Sequence, residues 1–324
     1  MPDTRRPLVV FTDGSIRAAA RERLAPTCEV RVLSAYPSES ALIEACRDAD
    51  AILARLGTIT RPVIESARKL RIIARHGVGV DAVDLVAATE GGVVVTTTGS
   101  GNTAAVAEYT FALLLSLLRH VVQADVGMRA GRWQRDSLVG VELDGRTLGI
   151  IGLGAIGRRV ARQGVGFGMH VVAYDVAPSA PEPGVTMVDL DDLLARSDVV
   201  SLHTRLTESN AHLIDAAALR RMKPGAFIVN TSRGEMIDET ALIAALEAGS
   251  LRGAALDTFE REPLAADSPL RRLPSVLLSP HVAGQTHAAL ERVALTAAQC
   301  ILDELAGRRP AFVYNPDAYL NRPR

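Results

Sequence analysis

The chain has 324 residues, 48% of them hydrophobic and 23% charged, which is enough for two domains of ordinary size in a globular protein. Its formal net charge of −1 includes no basic block or tail, so nothing here reads as a surface for nucleic-acid phosphates. Cys28, Cys46 and Cys300 lie far apart with no metal or redox spacing and fit a reducing cytoplasm. The polar start of the chain, residues 1–6, does not read as a signal sequence, and the most apolar helical stretch, 111–118, is too short for a bilayer.

From the N-terminus, β-rich apolar runs at 8–12, 29–33, 51–54, 71–75 and 93–97 alternate with amphipathic stretches at 15–24, 38–47, 61–67 and 83–90. Such alternation predicts parallel strands joined by right-handed helical crossovers. A single long helix is expected from about Asn102 to about Ala130, closed by Gly131. A second strand–helix series follows. Its strands begin at Thr147, His170, Val199, Ala226, Gly253 and Val276, and its helices cover 155–163, 191–196, 216–222 and 239–247. The last helical pattern, 287–305, is long enough to cross back to the first domain. The class is α/β, with two doubly wound parallel sheets.

The strand at 147–151 runs directly into Gly152-Leu153-Gly154-Ala155-Ile156-Gly157. Gly152 permits the tight turn, Gly154 lets the backbone approach a pyrophosphate, and Gly157 lets the helix pack on the strand. The opening helix points unpaired N–H groups at phosphates. Asp175 ends the next strand, at about the 20-residue spacing of an acid that binds ribose hydroxyls. A carboxylate there repels a 2′-phosphate, so NAD is favoured over NADP.

Hydride transfer to a ketone needs a cation for the substrate's carboxylate and carbonyl, an acid for the developing alkoxide, and a group that holds that acid protonated. Arg233, Glu262 and His281 each follow a predicted strand, where open sheets place their ligands. A carboxylate beside an imidazole raises its pKa, and an arginine grips a carboxylate with two parallel bonds. Taken singly, each is an ordinary loop residue; three at successive strand ends make a set. Of the other histidines, His76 and His203 sit at strand ends, while His120, His170, His212 and His287 are assigned to surfaces or element ends.

Five segments in order then resemble the D-isomer-specific 2-hydroxyacid dehydrogenase family from end to end. They are Arg75-His76-Gly77-Val78-Gly79-Val80-Asp81, the stretch 145–154 around the glycine fingerprint, Asn230-Thr231-Ser232-Arg233-Gly234, the stretch 256–264 ending Arg261-Glu262-Pro263-Leu264, and Ser279-Pro280-His281-Val282-Ala283-Gly284. The resemblance implies Arg233, Glu262 and His281 as the catalytic set. It implies a Rossmann NAD domain, 102–286, inserted into a flavodoxin-like substrate domain, 1–101 plus 287–324, with a cleft between them. It also implies that Gly77, Val78 and Gly79 offer N–H groups to the substrate carboxylate. By the same resemblance Val78, Ala155, Ile156, Asp175, Thr204, Thr231, Ser232, Asp257 and Gly284 line the cofactor, with Asp257 meeting the nicotinamide carboxamide. A homodimer is implied, with the helix from Asn102 and Gly131-Arg132-Trp133 as its arms.

Two departures stand out: Arg205 replaces a common proline beside the cofactor, and Glu235 replaces a common glycine after Gly234. A cation at 205 could reach a 2′-phosphate, against the effect of Asp175. The chain looks most like the phosphoglycerate dehydrogenase branch, and Arg55 and Arg75 are candidates to bind a substrate phosphate. It ends at Arg324, so serine feedback through the extra C-terminal domain of many such enzymes is not expected. The alternatives are reduction of glyoxylate or hydroxypyruvate and, in another class, an NADH-sensing corepressor. No metal site is expected.

Overall fold

The computed structural model describes residues 5–34, 36–177 and 182–322. Residues 1–4 of the polar N-terminal stretch lie outside these. In chain order come β1 (Leu8–Phe11), α1 (Ala18–Leu24), β2 (Glu29–Val32), α2 (Glu39–Cys46), β3 (Ala51–Ala54), α3 (Arg61–Ser66), β4 (Ile72–Arg75), α4 (Leu85–Glu90) and β5 (Val94–Thr96). Then follow α5 (Thr103–Leu118), α6 (Val121–Arg129), β6 (Thr147–Ile151), α7 (Ala155–Gly166), β7 (His170–Tyr174), β8 (Val185–Met187), α8 (Leu190–Arg196), β9 (Val199–Leu202), α9 (Ala216–Arg221), β10 (Ala226–Asn230), α10 (Glu239–Glu247), β11 (Leu251–Leu256), β12 (Val276–Leu278) and α11 (His287–Leu305). Two compact units result: Met1–Asn102 with Thr286–Arg324, and Thr103–Gln285.

In the first unit the parallel strand order is β2-β1-β3-β4-β5, the flavodoxin-like winding. Strands buried on both faces explain why β1, β3 and β4 read as unbroken apolar runs rather than alternating ones. One face is covered by Leu42, Val63, Ile64, Ala87 and Ala88 of α2, α3 and α4. The other is covered by Ala20 and Leu24 of α1 with Ala294, Ala297, Ala298 and Ile301 of α11. The run of alanines lets α11 lie close on the sheet.

The second unit is a seven-stranded parallel sheet, β12-β11-β10-β9-β6-β7-β8, the Rossmann order extended by one strand. Phe111, Leu114 and Leu117 of α5 and Val160 and Ala161 of α7 fill one face. Leu193, Leu219 and Leu242 of α8, α9 and α10 fill the other. Side chains at Asp189, Asp215 and Asp238 cap α8, α9 and α10 by accepting N–H groups at 2.7–2.9 Å. The chain reverses its winding between β6 and β9, which opens a crevice at the carboxyl ends of the strands.

Two expectations are corrected. The single helix over 102–130 is two helices, bent by 63°, with His120 in the left-handed region at φ 54°. No proline or glycine marks this break; at it the Leu118 carbonyl accepts the N–H of Val141, from a distant segment, at 3.0 Å instead of an N–H of its own helix. The short edge strand β8 was not anticipated, since three mostly exposed residues after Gly184 carry no periodic signal. Among the described residues no single helix is long and apolar enough to cross a membrane.

Candidate active site

The glycine fingerprint forms the turn from β6 into α7. Gly152 takes φ 94°, and a Cβ there would lie 2.8 Å from the His203 carbonyl carbon and oxygen. At Gly157 a Cβ would overlap the Gly152 carbonyl. Gly154 differs, because nothing lies within 4 Å of its missing Cβ. It caps α7 and leaves open space before the helix N-terminus. That space, framed by unpaired N–H groups, fits a pyrophosphate. Asp175, at the end of β7, accepts from the Leu153 N–H at 2.7 Å and from the Ala177 N–H at 2.9 Å. Its carboxylate is therefore fixed against the glycine turn, with lone pairs left for ribose hydroxyls. The residues present fit a dinucleotide.

Two of the three catalytic candidates meet directly. His281 Nδ1 lies 2.8 Å from Glu262 Oε2, and the Phe259 N–H donates to Glu262 Oε1 at 3.2 Å. The hydrogen bond to Glu262 holds the His281 pKa above the usual imidazole range, against desolvation and the nearby Arg233 charge. Burial works to raise the Glu262 pKa, but His281, the Phe259 N–H and Arg233 outweigh it, and the net direction is down. Arg233 thus stands close enough to influence both. It follows β10, where Asn230 fixes the loop: its Oδ1 accepts from the Ser232 N–H at 2.9 Å and its Nδ2 donates to the Arg233 carbonyl at 2.8 Å. Arg233 Nη1 donates to the Ser232 carbonyl at 2.7 Å.

His281 sits in the left-handed region at φ 52°, a conformation that costs a residue other than glycine on the order of 1–3 kcal/mol. Asp257, fully buried at the end of β11, offsets this. Its Oδ1 accepts from Ser279 Oγ at 2.6 Å and from the Val282 N–H at 2.9 Å, and its Oδ2 accepts from the Ala283 N–H at 2.8 Å. Its carbonyl accepts the His281 N–H at 2.8 Å. Asp257 therefore shapes the histidine loop, a role the sequence reading did not contain. Gly284 lies in the turn that follows, closed by the Gln285 N–H on the Val282 carbonyl at 2.8 Å.

Other expected cofactor residues border the same strand ends. Ser232 Oγ donates to the Thr204 carbonyl, and Thr231 Oγ1 pairs with Thr110 Oγ1 of α5 at 3.0 Å. Ala155 and Ile156 open α7. His203 Nε2 bonds Ser201 Oγ at 2.8 Å, and desolvation lowers its pKa to about 3, so it is neutral. In the first unit, Arg55 pairs with Asp13 at 2.5 Å. Arg75 donates from Nε to the Gly79 carbonyl at 2.9 Å and from Nη1 to the Ala54 and Arg55 carbonyls at 3.0 and 3.2 Å. Arg75 thereby shapes the loop of Gly77, Val78 and Gly79, in which Gly77 has φ 150° and open space at its missing Cβ. His76 beside it is buried, its Nε2 without a partner among the described residues, and burial with the Arg55 charge lowers its pKa to about 4.

The sequence reading also missed Glu182, a buried carboxylate that accepts from Arg162 Nε at 2.6 Å and from Arg158 Nη1 at 3.0 Å, both on α7. No local pattern signals such a pair, since its members come from different elements. Among the described residues no group of histidine, cysteine, aspartate and glutamate side chains could hold a metal ion.

Comparison with known proteins identifies the family. Residues 111–283 match the model for the NAD binding domain of D-isomer specific 2-hydroxyacid dehydrogenases. A glyoxylate reductase of Korarchaeum cryptofilum is 42% identical over 297 residues, covering 89% of this chain and 90% of that protein. A D-3-phosphoglycerate dehydrogenase of Mycobacterium leprae is 41% identical over 316 residues; they cover 96% of this chain, which spans only 58% of that longer relative. The crystal structure of a Thermus thermophilus protein superposes with a TM-score of 0.89 at 37% identity, covering 94% of this chain and 99% of that one. This chain belongs to the D-isomer specific 2-hydroxyacid dehydrogenase family, nicotinamide-dependent oxidoreductases that act on a CH–OH carbon.

Proposed function

We propose that the protein interconverts a small D-2-hydroxy acid and its 2-keto acid, with Arg233, His281 and Glu262 as its catalytic residues. The observation that carries this is the His281–Glu262 pair beside Arg233, in the same unit as the glycine turn and Asp175. A nicotinamide dinucleotide bound there supplies the hydride to C2 in reduction and accepts it in oxidation. Arg233 binds the substrate carboxylate and polarises the carbonyl. His281, with Nδ1 engaged by Glu262, gives the Nε2 proton to the carbonyl oxygen as C2 is reduced, and the ring is reprotonated from solvent. In oxidation the neutral ring takes the hydroxyl proton. Gly77, Val78 and Gly79 offer N–H groups to the carboxylate, as the family resemblance implies. Asp175 favours NAD over NADP.

For the substrate we favour 3-phosphoglycerate and phosphohydroxypyruvate. Arg55 and Arg75 stand at the ends of neighbouring strands, since Ala54 and Arg75 are register partners, and the Mycobacterium leprae relative carries that activity in its name. Glyoxylate or hydroxypyruvate is the second reading, because Asp13 pairs with Arg55 and offsets its charge, and the Korarchaeum relative is named a glyoxylate reductase. NADH oxidation with 3-phosphohydroxypyruvate and with hydroxypyruvate, side by side, separates the two. A kcat/KM about tenfold higher for the phosphorylated acid, about 1.4 kcal/mol of tail recognition, supports the first. Equal or reversed preference supports the second.

The working form is a homodimer in the cytoplasm. Val121, Val122, Val126 and Met128 of α6, with Trp133 and Val139, are exposed, Trp133 by 79%, and an apolar face of this kind fits a second copy. The three buried, unpaired cysteines suit a reducing compartment. Val126→Glu should halve the mass seen by light scattering; an unchanged mass removes α6 from the interface.

A further inference from the structure

The turn that carries Glu262 is tied down on its outer side by side chains that take no part in the chemistry above. Glu260 and Glu239, the first residue of α10, exchange hydrogen bonds. The Glu260 N–H donates to Glu239 Oε1 at 2.7 Å, and the Glu239 N–H donates to Glu260 Oε1 at 3.1 Å. His212 Nε2 lies 2.9 Å from that same Glu260 oxygen. The His212 N–H in turn donates at 2.8 Å to the carbonyl of Glu235, two residues beyond Arg233. Between these ties Gly234 lies against the Phe259 peptide, where any Cβ would overlap the carbonyl. The segment carrying Arg233 and the turn carrying Glu262 are thus joined at three points.

These ties matter because burial alone does not hold the pair. The side chains of His281 and Glu262 are 51% and 37% exposed, too open for packing to fix their rotamers. Bonds between a carboxylate and a backbone N–H are among the stronger ones available at such a surface. The arrangement also sets two carboxylates close together, with His212 Nε2 within hydrogen-bond distance of one of them.

We propose that Glu260, held by Glu239 and His212, is a positioning residue that sets Glu262 against His281 and keeps Arg233 in register with them. This rests on the reading that His281, Glu262 and Arg233 perform the chemistry.

The test uses the full chain with NADH and the faster of the two keto acids. It measures kcat, the KM for NADH, the pH profile and thermal unfolding for wild type, Glu260→Ala, Glu260→Gln, His212→Ala and Glu262→Gln. In Glu260→Ala kcat should fall about tenfold, as expected when reacting groups are misplaced by a fraction of an ångström. The pH at which reduction slows should move down, because His281 loses its fixed partner. The KM for NADH should stay within about twofold. Glu260→Gln keeps an acceptor oxygen for the Glu239 N–H and should recover most of the rate. His212→Ala should show a smaller loss in the same direction, and these two variants decide the matter if Glu260→Ala does not fold.

Unmoved kcat and pH profile in Glu260→Ala, beside a clear loss in Glu262→Gln, overturn the positioning role and leave the catalytic set standing. A rate loss that follows only the lost folded fraction, or that Glu260→Gln fails to recover, overturns it too. Should Glu262→Gln leave the pH profile in place, the catalytic reading itself falls, and the positioning role with it.

Discussion

Nδ1 of His281 is 2.8 Å from Oε2 of Glu262, and the other oxygen of that carboxylate is anchored by the Phe259 N–H at 3.2 Å. This pairing raises the pKa of His281. On the proposed mechanism reduction needs the protonated ring, so its rate is full below the raised pKa and falls as pH rises through it. Oxidation needs the neutral ring and follows the opposite course. Glu262→Gln keeps an acceptor but removes the charge. The falling limb of reduction should move to lower pH, and kcat at neutral pH should drop roughly 10–100-fold. A pH–rate series on both proteins checks this; coincident profiles would mean that Glu262 does not tune His281.

His281→Ala removes the proposed proton donor and leaves the glycine turn and Asp175 in place. Turnover should fall by roughly 10²–10⁴-fold, while NADH binding, followed by fluorescence titration, stays within about twofold. Turnover at the wild-type rate would mean that the protonating group is elsewhere.

Identical substitutions at two glycines should have different consequences. A Cβ at Gly154 meets nothing within 4 Å, so Gly154→Ala should leave the unfolding temperature unchanged and raise the KM for NADH by about tenfold, through loss of close pyrophosphate approach. A Cβ at Gly234 would overlap the Phe259 carbonyl. Gly234→Ala should therefore destabilise the fold by roughly 1–3 kcal/mol, as overpacking does. Calorimetry and NADH kinetics on the two variants separate the roles.

Asp175 accepts two backbone N–H groups, and on the proposed reading it also binds the ribose hydroxyls. Asp175→Ala should weaken NADH binding by about tenfold and narrow the preference over NADPH, since repulsion of a 2′-phosphate disappears. Kinetics with both cofactors test it; an unchanged NADH-to-NADPH ratio would mean that discrimination lies elsewhere, with Arg205 the next residue to change.

Much of the fold was legible because its signals are local. Among the described residues the twelve strands include five apolar runs in the first unit and six in the second that the sequence marks by apolar β-rich pattern. The exception, β8, is short and mostly exposed. The break between α5 and α6 was not legible, because no proline or glycine stands at the bend and the N–H that meets the Leu118 carbonyl there comes from distant Val141. The site divides in the same way. Arg233, Glu262 and His281 were visible as charged or titratable residues after strands, yet Asp257 gave no sign that it organises the histidine loop, since its partners lie more than twenty residues on.

By itself the sequence determined that two doubly wound parallel sheets form, that one carries a dinucleotide turn, and which three residues stand at its strand ends. These follow from periodicity, glycine spacing and residue chemistry, all of them short-range. Only the tertiary structure decided that Glu262 meets His281 at 2.8 Å, that Asp257 holds the histidine at φ 52°, and that Glu239 and His212 brace the turn from outside. Hydrogen bonds between separate loops depend on where the sheet delivers each strand end, which no local stretch of sequence encodes.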